Sequence, residues 1–194
     1  DSASRDGTAD HVRRTFPSVQ LCEMPANRGY GAALNEGVRR ARGQWVALAN
    51  ADVEMRPSCL EKLVAALQQR TDAAAAGPVL RNAQGQLCSS ARSFPSIAEA
   101  AFEALWLNRL WPGNPVVYRQ FRQDLTAPAA EKARSYDCDF LVGALFVTSA
   151  ATLRTVGEFD ERFFLYFEET DWFRRAATIG RTALYCPEAC AVHA

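Results

Sequence analysis

The fold is decided by residues 32–53, which read AALNEGVRRARGQWVALANADV. Ala32–Arg42 places its apolar residues near helical spacing, and Gly43 closes the predicted helix. Gln44–Ala49 follows as a short apolar run that is typical of a buried strand. Asp52 comes just after this strand, at the strand end where open α/β sheets bind their ligands. The stretch therefore predicts a helix, a buried strand and a ligand-side acid in succession.

The same rhythm continues along the chain. Pro57 opens a helix with one apolar stripe, formed by Leu60, Leu63, Val64 and Leu67. The other predicted helices are Thr8–Phe16, Ala150–Val156 and Tyr166–Ile179. The other predicted strands are Val19–Met24, Ala74–Leu80, Leu87–Ala91, Phe140–Val147 with an interruption at Gly143, and Arg181–Cys186 with an extended tail to His193. Alternating strands and helices predict an α/β fold with a mostly parallel sheet and covering helices.

The composition is that of a globular protein without a charge bias. The 194 residues are 48% hydrophobic, and 22 Lys and Arg balance 22 Asp and Glu. This balance argues against a nucleic-acid partner, and no apolar run approaches the ~20 residues of a membrane-spanning helix. Six scattered cysteines without a C-x-x-C pair indicate a reduced, cytoplasmic chain. The polar opening, from Asp1 to Thr8, predicts that an N-terminal segment is missing.

Asp52 and His193 are candidate metal ligands. A loop carboxylate can hold a hard divalent cation, although Asn50-Ala51-Asp52 taken alone is more simply explained as a turn. His193 follows the last predicted strand, and a neutral imidazole can ligate a metal, but a lone histidine near a terminus usually has no role. Cys186, Cys190 and His193 could instead form part of a zinc site, which usually needs four ligands.

An acidic cluster follows an aromatic run in residues 163–172, which read FFLYFEETDW. On a helix, Glu168, Asp171 and Arg175 share one face, whereas Glu169 lies about 100° away, on the side of the aromatic residues. Partial desolvation among aromatic rings raises the pKa of a carboxyl group and suits a general base. For Asp171, an ion pair with a following arginine is the simpler explanation. For Glu169, catalysis and a solvated surface position are equally open.

A glycine-bearing turn precedes the first long helix, in residues 27–35, which read NRGYGAALN. Backbone N–H groups at a helix N-terminus suit a phosphate or the edge of a nucleotide. The turn matches neither G-x-G-x-x-G nor a P-loop, and a glycine turn before a helix is common. Taken alone, it is a weak signal for a nucleotide.

Six segments in order resemble motifs of the family 2 glycosyltransferases with a GT-A fold, especially the rhamnosyltransferase-like branch. DSASRDGT resembles D-N-x-S-x-D-G-S/T, and NRGYGAALNEG resembles N-x-G-F-A-x-A-N-N-x-G. ANADV resembles L-N-P-D-V, a variant of the D-x-D metal motif, and DFLVGA resembles D-x-x-x-G-A. FDERFFLYFEETDWFRR resembles F-D-E-x-F-F-M-Y-x-E-D-x-D-L-x-x-R, and CPEACAVH resembles P-x-A-x-V-x-H. The resemblance runs from Asp1 to His193 and is weakest between Ile97 and Ser135.

The resemblance implies a single GT-A domain over residues 1–194, N-terminally incomplete, with a variable acceptor-side region at 97–135. Its architecture is a Rossmann-like mixed sheet with helices on both faces, here lacking the first strand. Glu169 takes the position of the catalytic base, and Asp52 and His193 that of the ligands of Mg²⁺ or Mn²⁺. The residues implied on the nucleotide or donor side are Asp1, Asn27, Arg28, Asn35, Asp52, Asp139 and Gly143.

The implied function is inverting transfer of a sugar from a dTDP- or UDP-sugar to a glycan or lipid-linked acceptor, in bacterial cell-surface polysaccharide synthesis. The enzyme is expected in the cytoplasm, peripheral to the inner membrane. Trp106, Leu110 and Trp111 could form an acceptor, membrane or homodimer surface, or pack in the core. Glu169 departs from the family's usual Asp, and Asn50 from the first acid of D-x-D. Two other functions stay open: a catalytically degenerate binding or scaffolding module, and a sugar nucleotidyltransferase.

Overall fold

The computed structural model describes residues 1–111 and 135–193. Seven helices lie in this part of the chain: α1 (Thr8–Thr15), α2 (Tyr30–Arg40), α3 (Cys59–Gln69), α4 (Ile97–Ala104), α5 (Leu107–Leu110), α6 (Ala150–Val156) and α7 (Glu168–Thr178). The same residues contain nine strands: β1 (Trp45–Ala49), β2 (Val53–Met55), β3 (Ala73–Arg81), β4 (Leu87–Cys88), β5 (Ala91–Arg92), β6 (Tyr136–Cys138), β7 (Phe140–Leu141), β8 (Leu145–Ser149) and β9 (Thr182–His193). No described helix has both the length and the apolar character needed to cross a membrane.

The main sheet has the strand order β1-β8-β3-β9-β2, with β4 beside β3 and β6 beside β9. The strands β1, β3 and β9 point the same way, but β8 runs antiparallel between β1 and β3. Among the described strands only β3 and β9 pair in parallel, so the prediction of a mostly parallel sheet is wrong and that of a mixed sheet is confirmed. The alternation of strands and helices in the sequence predicts that β1 and β3, which are connected through α3, run in the same direction. It does not show that a later strand inserts between them.

Helices cover both faces of this sheet, as predicted. Side chains of β8 alternate between the faces: Phe146 belongs to one core cluster, and Leu145 and Val147 belong to the other. The first cluster is completed by residues of α2, α6 and α7, and the second by residues of α3. The sheet is thus buried on both sides, which explains why its central strands read as unbroken apolar runs.

The helix α7 is anchored by Trp172, which is fully buried. Its indole ring stacks on Phe146 of β8 and on Phe159, and its Nε1 donates a hydrogen bond to the Gly157 carbonyl at 2.9 Å. Burying a large aromatic side chain contributes about 1.5–3 kcal/mol. This packing fixes the first turn of α7, and hence Glu168 and Glu169, relative to the sheet.

Four predicted strands end differently in the structure. Val19–Met24 is not a strand, because its backbone bonds to Phe16 in a local turn and to Asp1 and does not pair with any of the described strands. Leu87–Ala91 contributes to two short strands in separate sheets. The interruption of Phe140–Val147 at Gly143 is confirmed, and its second part, β8, runs on to Ser149. The last strand and its predicted tail form one continuous strand, β9. In each case the pairing partner, rather than the local sequence, sets the strand boundary.

Candidate active site

The site lies where β1 and β9 end at the same edge of the main sheet. Asn50 and Asp52 follow β1, and His193 is the last residue of β9. Val53 of β2 lies opposite His193, which brings the neighbouring Asp52 close to the imidazole. Asp52 Oδ1 lies 3.3 Å from His193 Nε2, and Asn50 Nδ2 lies 3.5 Å from the same nitrogen. Strand register thus joins two candidate ligands that are far apart in the sequence.

The Asp52–His193 pair fits one side of a divalent-cation site. Its oxygen and nitrogen lie 3.3 Å apart, close to the ~3 Å between adjacent ligands of an ion bound at about 2.1 Å. The carboxylate side chain is 52% exposed and the imidazole 33% exposed, so both are open to a ligand. Within residues 1–111 and 135–193, no three His, Cys, Asp or Glu side chains form a complete metal site. The pair therefore suits a cation that takes its other ligands from substrate phosphate and water.

The alternative zinc site is wrong. Cys186 belongs to the core beneath α3, whereas Cys190 packs against the core on the opposite face of the sheet. A zinc site needs several ligand side chains together, and the described residues contain no group of three His, Cys, Asp or Glu side chains that could hold a metal ion. Burial raises the pKa of the Cys186 thiol to about 11, which disfavours the thiolate that binds zinc.

Glu168 and Glu169 form a buried acidic pair in the first turn of α7. Glu168 is 3% exposed, and Glu169 is partly buried. Burial raises the pKa of both carboxyl groups; for Glu169 the charge of Glu168 raises it further, and a hydrogen bond from the Gly143 backbone opposes the rise. In the described part of the chain, Oε2 of each residue is buried without a hydrogen-bond partner. Such a carboxyl group can accept a proton from a bound ligand.

A cavity of about 540 Å³ is lined both by His193, the partner of Asp52, and by the Glu168–Glu169 pair. Residues from seven parts of the chain line it, among them Tyr30, Asn50, Arg92, Phe140, Leu165, Glu168, Glu169 and His193. A larger cavity of about 710 Å³ lies beside Arg42 and Trp45, at the other end of β1, but no carboxylate, histidine or cysteine lines it. We therefore place the chemistry in the smaller cavity.

The surface of α7 is only partly as predicted. Asp171 pairs with Arg175, with 2.8 Å between Oδ2 and Nε, which confirms the expected ion pair. Glu168, predicted on the same face, is instead buried beneath the first turn of α2. A Cβ atom on Gly31 would lie 3.4 Å from the Glu168 Cβ, so the absence of a side chain there allows the close approach. Helical spacing predicts which residues share a face of α7, but it does not predict that α2 packs on the first turn of α7 and buries Glu168.

Sequence reasoning missed Tyr30 and Arg92. The Tyr30 hydroxyl donates a hydrogen bond of 2.8 Å to the Gly143 carbonyl, and its ring lines the cavity. Arg92 lines the same cavity, where burial lowers its pKa and the charge of Glu169 opposes the change. An aromatic residue within the glycine turn was a signal for the first, whereas Arg92 lies in a short strand without any distinctive pattern.

The structure does not bring the predicted nucleotide-side residues into the cavity. Asp1 accepts a hydrogen bond from the Ser4 N–H at 2.9 Å, and Asn27 accepts one from the Gly29 N–H at 2.9 Å. Arg28 forms an ion pair with Glu161. These three side chains shape the loops beside the cavity rather than its wall.

Asn35 is also used inside the protein. It is 1% exposed, its Nδ2 donates to the Phe159 carbonyl at 2.9 Å, and its Oδ1 accepts from the Phe159 N–H at 2.8 Å. Both polar groups of the amide are occupied, so in this structure Asn35 holds the loop before α7 and does not face a ligand. Asp139 is likewise bonded within the protein, since its Oδ2 accepts a hydrogen bond from the Phe94 N–H at 2.8 Å. Of the donor-side set, Gly143 lines the cavity.

The sequence matches the family model described as glycosyl transferase family 2 over residues 1–130. The chain belongs to this family. Within family 2, it is 30% identical over 204 aligned residues to an N-acetylglucosaminyl-diphospho-decaprenol L-rhamnosyltransferase of Mycobacterium tuberculosis. The match covers 100% of this chain, which spans 64% of the length of that relative. The likeness to a rhamnosyltransferase predicted from the motifs is thus confirmed.

Solved structures confirm the GT-A fold of this family 2 chain. A mannosyltransferase of Pyrobaculum calidifontis, in complex with GDP-Man and Mn²⁺, has a TM-score of 0.65 and 24% identity, covering 100% of this chain and 46% of its own. The structure of GalNAc-T7 with UDP, GalNAc and Mn²⁺ has a TM-score of 0.64 and 14% identity, covering 97% of this chain and 34% of its own. At these identities the likeness concerns the fold.

Proposed function

We propose that the chain transfers a sugar from a nucleoside-diphosphate donor to a hydroxyl group of an acceptor, with inversion at the anomeric carbon. The observation that carries the proposal is one cavity lined by His193, which lies 3.3 Å from Asp52, and by Glu169, whose Oε2 is buried. Family 2 membership and the likeness to a rhamnosyltransferase support the same reaction. The residues act as one domain, whose acceptor side we assign to residues 97–135; residues 112–134 of this range lie outside the part of the chain that the structure describes.

Asp52 and His193 hold Mg²⁺ or Mn²⁺ in this proposal. Mn²⁺ in the two solved structures with the same fold supports a divalent cation. When bound, the cation supplies positive charge that stabilises the departing nucleoside diphosphate. The His193 Nε2 atom that would bind the cation is also the atom 3.5 Å from the Asn50 amide, so the contact with Asn50 would be released when the cation binds.

Glu169 acts as the general base. The acceptor oxygen forms a bond to the anomeric carbon while the bond from that carbon to the phosphate oxygen breaks, and its electron pair leaves with the nucleoside diphosphate. The acceptor proton passes to Glu169 Oε2, which is buried without a partner in the described part of the chain. A raised pKa makes this carboxylate a stronger base than an exposed one. Glu169 is one methylene longer than the usual Asp, so it reaches further into the cavity.

The donor is a dTDP- or UDP-sugar, and the acceptor is a glycan or a lipid-linked glycan, as in the name of the mycobacterial relative. Asp1, Asn27 and Arg28 lie on the nucleotide side, Asp139 and Gly143 lie beside the donor sugar, and Asn35 supports the loop between them. We place the enzyme in the cytoplasm at the membrane surface, where a lipid-linked acceptor is presented. The exposed side chains of Trp106, Leu110 and Trp111 are available for contact with that surface or with a second copy.

The test is release of product from a panel of UDP-, dTDP- and GDP-sugars by the full-length protein, with Mn²⁺ or with EDTA. We expect metal-dependent release of nucleoside diphosphate from one donor, and an inverted anomeric configuration in the glycoside formed. Release of pyrophosphate would instead indicate a nucleotidyltransferase. A folded protein with no turnover and no metal-dependent nucleotide binding would indicate a degenerate binding module.

A further inference from the structure

Tyr30 is held at both ends on the wall of the cavity. It is the first residue of α2, and its N–H donates to the Phe164 carbonyl at 2.9 Å. The preceding Gly29 has a φ of 96°, and a Cβ atom there would overlap the Phe164 carbonyl, so this approach requires glycine. At its other end the Tyr30 hydroxyl donates to the Gly143 carbonyl at 2.8 Å. The side chain therefore links the start of α2 to the turn between β7 and β8.

Gly143 in turn contacts the proposed base. The Gly143 backbone lies beside the Glu169 carboxyl group and lowers the pKa of that group, as a hydrogen-bond donor would. A Cβ atom on Gly143 would lie 3.3 Å from Tyr30 Cε1 and 3.9 Å from Glu169 Cδ, so the turn passes closely between the two side chains. Glycine has no side chain to restrict its φ and ψ. Hydrogen bonds, rather than sterics, therefore keep the Gly143 peptide groups in the orientation that Glu169 needs.

We propose that Tyr30 is a positioning residue for Glu169, because its hydroxyl holds the Gly143 backbone so that the Gly143 N–H keeps the Glu169 carboxyl group directed into the cavity. The role of Glu169 as the base rests on the proposed function, whereas the contact sequence from Tyr30 through Gly143 to Glu169 does not. Tyr30 does not exchange a proton with substrate. It acts by restraining a flexible turn.

The charged and titratable groups around Glu169 determine how its pKa should respond when the contact from Tyr30 through Gly143 is lost. The charge of Glu168 in α7 raises the pKa of the Glu169 carboxyl group. The charge of Glu169 raises the pKa of Arg92 in β5, and the charge of Asp52 raises the pKa of the Tyr30 hydroxyl group. Burial, followed by the charges of Glu168, Glu169 and Asp52, raises the pKa of Tyr30, so its hydroxyl remains a donor throughout the physiological range. The Gly143 N–H bond stabilises the ionised carboxylate and lowers the Glu169 pKa. Weakening that bond should therefore raise the pKa of the Glu169 carboxyl group.

The test is Tyr30→Phe, which keeps the ring and removes only the hydroxyl group. We expect the Glu169 carboxyl pKa, measured by NMR on protein labelled with ¹³C at the glutamate carboxyl, to be higher in the variant than in the wild type. The resonance is assigned by its loss in Glu169→Gln. In donor turnover we expect kcat to fall about threefold to tenfold with the donor KM unchanged, since one hydrogen bond is lost. The acid limb of the kcat profile should move to higher pH.

The matched control is Tyr136→Phe, which removes a hydroxyl group from β6, outside the cavity, and should change neither quantity. An unchanged Glu169 pKa together with an unchanged kcat in Tyr30→Phe would overturn the inference. A fall in kcat without a pKa shift would also overturn it, because general loosening of packing would then explain the loss. A pKa shift in a protein whose wild type turns over no donor would uphold the contact sequence and reject the proposed function.

Discussion

The Asp52–His193 pair and the Glu168–Glu169 pair meet at the same cavity, but they are built in opposite ways. Asp52 and His193 come from two strands of the sheet, and their side chains are 52% and 33% exposed. Glu168 and Glu169 are consecutive in the sequence, and the packing of α7 buries them. The open pair can exchange ligands with solvent and suits a hydrated cation and a diphosphate. The closed pair is desolvated and suits proton transfer.

The largest expected effect is on the closed pair. Glu169→Gln keeps the shape of the side chain but removes its basicity, so we expect turnover to fall by about 10²–10⁴-fold, the range for loss of a general base. Release of nucleoside diphosphate measures this directly. Metal-dependent nucleotide binding should persist, because the Asp52–His193 pair is intact. A variant that keeps more than about a tenth of the wild-type rate would remove Glu169 from the role of base.

Substitutions in the Asp52–His193 pair should impair binding of the cation and the nucleotide without changing the proposed base. Asp52→Asn and His193→Ala each remove one of the two candidate ligands, and we expect turnover to fall on the order of a hundredfold. The stabilisation that Mn²⁺ and UDP or dTDP together give in a thermal-shift assay should also disappear. Glu61→Gln, at an exposed acid of α3, is the matched control. Normal Mn²⁺-dependent stabilisation in both variants would show that the cation binds elsewhere.

The smallest effect concerns stability and its dependence on pH. Burial raises the pKa of Glu168 in the folded state, so folding favours the protonated form, and stability is lost as pH rises through that raised pKa. Glu168→Gln removes this loss, and we expect Tm to rise by about 2–4 °C at pH 8, with a smaller gain at pH 4. Differential scanning calorimetry at both pH values checks it. An equal Tm change at the two pH values would mean that the carboxyl charge is not the cause.

The candidate site was partly visible in the sequence. Asp52 and His193 could be proposed from their positions after strands and from family motifs, and the structure places them 3.3 Å apart. The roles of Asn35 and Tyr30 could not be read in this way, because what their side chains contact depends on the loop before α7 and on the turn at Gly143. The burial of Glu168 could not be read from the sequence for the same reason.

By itself, the sequence determined the local features of the protein. The helix α2, the buried strand β1 and the acid that follows arise from the spacing of apolar residues and from nearby glycines, and the Asp171–Arg175 pair arises from helical spacing. Only the tertiary structure decided that β8 inserts between β1 and β3 and that Val53 lies opposite His193. The physical reason is the distance along the chain over which each kind of interaction acts. Periodicity acts within a turn or a strand, whereas strand order and register are selected by the packing of the whole sheet between its helices.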